Sequence, residues 1–153
     1  MNLSNDELKR EIQRLWPDVQ FHQVCMSDAY FVYDLSWFKY TWNKYWEHYM
    51  KESGLVYTVG NCEQFAIESA VWGYRGVRRK YPEEDVISSL LKVHCKVGGK
   101  SLNGIKDSYH ATNTVFTHEN EKVQGHLWEP QNKMWVTFQY AKDNFVELLD
   151  VDD

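Results

Sequence analysis

YHATNTVFTHENEKVQGHLWEPQNKMWVTF, residues 109–138, decides the fold. Apolar and polar residues alternate along it, and the polar clusters HENEK and QNK cut it into three runs. Successive side chains of a strand point to opposite faces, so an alternating run suits a half-buried strand. YHATNTVFT, VQGHLWEP and MWVTF therefore read as a three-stranded antiparallel meander. With the first turn centred between Glu119 and Asn120, His110 stands directly opposite Glu129. The same register pairs Thr112 with Leu127, Thr114 with Gly125 and Phe116 with Val123.

Upstream of the meander the period is helical. Residues 4–16 predict a helix capped by Ser4 or Asn5, with Glu7 placed to reciprocate. Leu8, Ile12 and Leu15 form its apolar stripe, and Trp16-Pro17 stops it. Residues 18–34 read as a strand or loop followed by an aromatic segment. In 35–51, Trp42, Tyr45, Trp46 and Tyr49 recur at helical spacing, and Gly54 marks the end. Residues 61–80 predict the second main helix, with Phe65, Ile67, Ala70 and Val71 on its buried side. Pro82 and the acidic run Glu83, Glu84, Asp85 suggest a shorter helix near 82–95, and the glycines of 97–104 suggest a loop. Helices first and a meander after give an α+β class, with N-terminal helices packed on a C-terminal antiparallel meander. The expected organisation is a single domain over 1–140, its leading helix at about 4–16, and an acidic C-terminal tail at 141–153.

Composition bounds the function. The chain of 153 residues is 43 % hydrophobic and 25 % charged, which suits a packed core. Its formal charge of −5 argues against general nucleic-acid binding, which needs a basic face. The run Arg75, Arg78, Arg79, Lys80 then reads as a solvated helix end, where cations are favoured. No apolar stretch is long enough for a membrane span, and the charged N-terminus lacks the apolar centre of a signal peptide. Three cysteines without a CxxC pair point to free thiols in a reducing, cytoplasmic setting. A zinc site built from Cys62, His94, Cys95 and His110 lacks any ligand-spacing signature.

The chemistry gathers around Cys62. Asn61 caps the predicted helix, so Cys62 falls in its first turn, where unpaired N–H groups and the helix dipole favour an anion. That position lowers a thiol toward thiolate and can hold a developing oxyanion. Most free cysteines are simply small buried residues, so position alone does not assign the role. The order matters more: a cysteine opening a helix, a histidine on one strand and an acid on the next make a nucleophile–base–orienter set.

NCEQFA (61–66), HATN (110–113) and EPQ (129–131) resemble the motif set of the C-terminal domain of the fairy-ring mushroom agglutinin and its uncharacterised bacterial and phage relatives. The family pattern runs Cys-Asp-Asp-Phe-Ala, then His-Ala-Leu-Asn, then a strand ending Glu-Pro-Gln. The resemblance covers about residues 20–136 in order. It implies a papain-like fold and a cysteine peptidase, with Cys62 as nucleophile, His110 as base and Glu129 as orienting acid. It implies a protein or peptide substrate. Gln64, Gln23, Asn113 and Gln131 are the candidates for oxyanion or substrate binding, since LVYTVG upstream of Cys62 lacks the papain glutamine. The fungal enzyme is calcium-activated. Here Glu63 and Gln64 replace its two aspartates, and the expectation is a site without metal or other cofactor.

Two functions of different class follow. One is thiol-dependent hydrolysis of peptide or amide bonds. The other is a catalytically silent papain-like module that captures a partner protein through exposed aromatics, with Trp37, Tyr40, Trp42 and Trp46 as anchors.

Overall fold

The computed structural model describes residues 1–22, 27–54, 62–98 and 108–152. It is a mixed α+β structure. The meander is present as β7 (Ser108–Glu119), β8 (Lys122–Glu129) and β9 (Met134–Thr137). The turn between β7 and β8 is Asn120–Glu121, both at positive φ (50° and 65°), the conformation of the tight turns whose twist matches a hairpin. It lies one residue further along than the sequence suggests. The register therefore slips by two: Phe116 faces Gly125 and Thr114 faces Leu127. A two-residue slip keeps every side chain on its predicted face, whereas a one-residue slip would have reversed them all.

The remaining elements are β1 (Asn2–Ser4), α1 (Asn5–Gln13), β2 (Gln20–Phe21), β3 (Ala29–Phe31), β4 (Tyr33–Asp34), α2 (Leu35–Ser53), α3 (Cys62–Lys80), β5 (Val86–Ser88), β6 (Leu91–Val97), α4 (Phe138–Asp143) and β10 (Val146–Asp152). Strands β1, β3 and β5 form a small sheet. The main sheet runs β2-β10-β6-β7-β8-β9, with β4 added parallel to β7 at Tyr33↔Thr117.

The helix starts follow from their caps. Ser4 accepts from the Glu7 N–H while Glu7 reaches back to the Ser4 N–H, a complete capping box. Asp34 caps α2, and Gly54 closes it in the left-handed conformation at φ 72°. Two segments depart from expectation. No helix forms over 82–95; β5 and β6 lie there instead. Leu91, Val93, Cys95 and Val97 are buried in strict alternation with Lys92, His94 and Lys96, and that period of two overrides the helix-start signal at Pro82. The acidic tail is likewise no appendage: residues 146–152 are a strand inside the sheet, between β2 and β6.

The sheet separates two cores. On one side, Leu8 and Ile12 of α1 and Phe138 and Ala141 of α4 meet Phe116, Leu127, Val93 and Leu148. On the other, Phe38, Trp42 and Trp46 of α2 and Phe65 and Val77 of α3 meet Val115 and Trp128. Neighbouring residues of one strand thus serve opposite cores. Trp42 and Trp46 stack at 4.3 Å between centroids and are 1 % exposed, so they are core residues and not surface anchors. Trp37 and Tyr40 are exposed. On α3 the buried side is Phe65, Ala66, Ser69, Gly73 and Val77; Ile67 is exposed.

Candidate active site

His110 lies near the start of β7 and Glu129 is the last residue of β8. After the two-residue slip they are diagonal neighbours on one face, a spacing that long side chains can bridge. They do bridge it: His110 Nε2 and Glu129 Oε2 are 2.8 Å apart. The imidazole side chain is 2 % exposed and the carboxyl 0 %. The second carboxyl oxygen, Oε1, accepts from the Gln131 backbone N–H at 3.2 Å. Just beyond, Pro130 bends the chain away, and its carbonyl accepts from Trp46 Nε1 at 3.2 Å. Thr112 Oγ1 donates to the Trp128 carbonyl at 2.7 Å and ties the two strands together at the same level. The pair is therefore held by strand pairing, a backbone donor and a buried tryptophan. With Nε2 committed to Glu129, any further contact of the ring nitrogens runs through Nδ1.

Cys62 is the first residue of α3 and is half-buried with a free thiol. Two side chains fix the start of this helix on the sheet. Asn113 Nδ2 donates to the Ala66 carbonyl at 3.0 Å and to the Leu91 carbonyl at 3.3 Å. Glu63 bonds Lys92 Nζ at 2.8 Å and His94 Nε2 at 2.7 Å. His94 faces Ala111 across the β6–β7 ladder, and the next residue, Cys95, faces His110. The start of α3 is thus moored to β6 at Lys92 and His94 and to β7 at Asn113.

Cys95 stands directly opposite His110 on β6 and is fully buried. Burial pushes its thiol up to about 12. The sequence alone did not place Cys95 there, because its strand carries helix-start signals just upstream.

The other candidates fare differently. Asn113 is fully buried and spends its amide on backbone carbonyls, so it is a clamp between helix and sheet and not a substrate ligand. Gln131 contributes its backbone N–H to Glu129. Gln64 is exposed on α3. Gln23, Cys25 and the cap Asn61 lie outside the described residues. Calcium does not fit the positions of the family's two aspartates: Glu63 directs both oxygens at Lys92 and His94, and Gln64 carries no charge. Among the described residues no three His, Cys, Asp or Glu side chains converge as a metal site. No helix among them is long and apolar enough to cross a membrane.

Neither a protein-family model nor a curated protein matches the chain.

Proposed function

We propose that the protein is a thiol-dependent hydrolase of peptide or amide bonds, built on a papain-like arrangement of helix and sheet. The observation that carries this reading is the buried His110–Glu129 contact, taken together with a free, half-buried cysteine that opens α3. A buried acid against an imidazole is what a base catalyst needs: the carboxylate fixes the tautomer and stabilises the charged ring.

In the reaction, Cys62 Sγ meets His110 Nδ1 and gives up its proton to it. The thiolate attacks the substrate carbonyl carbon, and the tetrahedral oxyanion faces the N–H groups that open α3. His110 returns the proton to the leaving nitrogen as the C–N bond breaks, which leaves a thioester on Cys62. A water then gives a proton to His110, attacks the thioester and releases the acid and the thiol. The substrate is a protein or peptide.

Limited alkylation with iodoacetamide at neutral pH, read by mass spectrometry, tests the reading. Cys62 is expected to label much faster than Cys25 and Cys95, the latter serving as a buried control. Labelling of Cys62 no faster than Cys25 would leave the fold as a silent binding scaffold.

A further inference from the structure

The basic run at the end of α3 does more than close a helix. Arg78 turns inward and donates to the carbonyls of Pro82, Glu84 and Val86, so it is structural. Arg75, Arg79 and Lys80 instead line a cleft of about 840 Å³ between α2, α3 and β4, within the size range of small-molecule sites. Its walls are aromatic: Trp37, Tyr45, Tyr49, Trp72 and Tyr81. Trp37 is 50 % exposed and stacks one face on Tyr33 at an interplanar angle of 7°, so the indole is pinned flat at the cleft. Lys80 Nζ sits 5.8 Å from the Trp37 ring and 5.6 Å from the Tyr81 ring.

The charges of this cleft do not cancel. Its two acids are engaged locally: Glu52 pairs with His48 at 3.1 Å, and Asp34 accepts the Trp37 N–H at 2.8 Å. Among the described residues no carboxylate pairs with Arg75, Arg79 or Lys80. A molecule with a formal charge of −5 thus keeps three cations on the rim of one aromatic cleft. Flat rings beside guanidinium groups recognise a planar ring that carries an oxyanion, because stacking holds the ring and charge-assisted hydrogen bonds hold the anion.

We infer that this cleft binds a free nucleoside phosphate, base against Trp37 and phosphate toward Arg75 and Arg79. Neither Cys62 nor His110 nor Glu129 lines this cleft, and the inference does not depend on the hydrolase reading. Isothermal titration with AMP, adenosine, inorganic phosphate and a short single-stranded oligonucleotide tests it. AMP is expected to bind at least tenfold more tightly than adenosine or phosphate alone. Trp37→Ala, and separately the double change Arg75→Gln with Arg79→Gln, should each weaken AMP by about tenfold or more, at unchanged melting temperature. No AMP binding at millimolar concentration overturns the assignment, as does binding indifferent to these changes. An oligonucleotide that binds tenfold more tightly than AMP overturns the choice of a free nucleotide.

Discussion

Glu129 is a carboxyl group with no access to water, and its two oxygens are met by an imidazole and a backbone N–H. Removing it leaves the imidazole without its acid in a dry site, so Glu129→Ala should cost about 3–5 kcal/mol in urea unfolding. Glu129→Gln preserves shape and can still accept from Nε2–H, so stability should fall much less. The rate of peptide hydrolysis separates the roles. His110→Ala removes the proton carrier and should cost about 10²–10⁴-fold. Glu129→Gln should cost less, since the acid orients and transfers no proton. Cys62→Ala should abolish turnover while the circular dichroism of the fold is retained. Residual turnover in Cys62→Ala, or a larger loss in Glu129→Gln than in His110→Ala at equal stability, would end these assignments. The His–Glu contact was legible in the sequence even though its register was not. The alternation fixes which face a residue takes, and an error of two residues leaves that unchanged. The turn HENEK carries no glycine to announce a two-residue turn, so its position is not legible in the sequence.

At the scale of elements, the same two-residue slip brings Gly125 opposite Phe116, and the structure shows why position 125 is glycine. A Cβ there would lie 2.1 Å from Cε2 of Phe138, the first residue of α4, which covers the hairpin. Gly125→Ala must push that ring out of a core it shares with Trp16 and Phe116, at 5.4 Å between centroids in each case. The expected loss is about 1–3 kcal/mol in urea unfolding, and Phe138→Leu should recover part of it when combined with Gly125→Ala. Strictly additive losses would show that the ring is not the obstacle. Helices were the readable elements because their caps and stops are local: Ser4 with Glu7, Asp34, Gly54. The strands that local signals do not announce owe their state to distant partners. In β10 the buried residues are Val146, Leu148 and Val151, and a register shift between Leu148 and Asp150 breaks the alternation that would have revealed a strand. Its acids are not a solvated tail either, since Asp150 bonds His94 and Asp152 pairs with Lys92.

For the whole molecule, two histidines set opposite responses to acid. Burial, and then the positive charge of Lys39, pull His126 from its ordinary 6.5 down to about 4. Its folded value lies below its unfolded one, so between these pH values the unfolded chain binds the extra proton. The stabilisation is therefore complete above pH 6.5 and runs out as pH falls toward 4, a difference of about 3 kcal/mol. His94 behaves the other way. Burial pulls it down, but the hydrogen bonds that its ring donates to Asp150 and Glu63 outweigh that and raise it above 6.5. Its contribution is full below 6.5 and is lost as pH rises through the folded value. Glu63 is held below its ordinary 4.5 by Lys92 and His94 against the opposing effect of burial, so its contribution is full above 4.5 and is lost in stronger acid. The cluster that moors α3 is thus strongest between pH 4.5 and 6.5, the interval in which His126 is losing its share. Urea midpoints measured across about pH 3–9 should separate the two. The gap between wild type and His126→Gln should shift in favour of the variant as pH falls from 6.5 to 4. The gap between wild type and His94→Gln should be widest between 4.5 and 6.5 and close in alkali. Curves that stay parallel across the range would mean that neither histidine changes its proton affinity on folding, and the electrostatic mooring of the helix that opens on Cys62 would have to be abandoned.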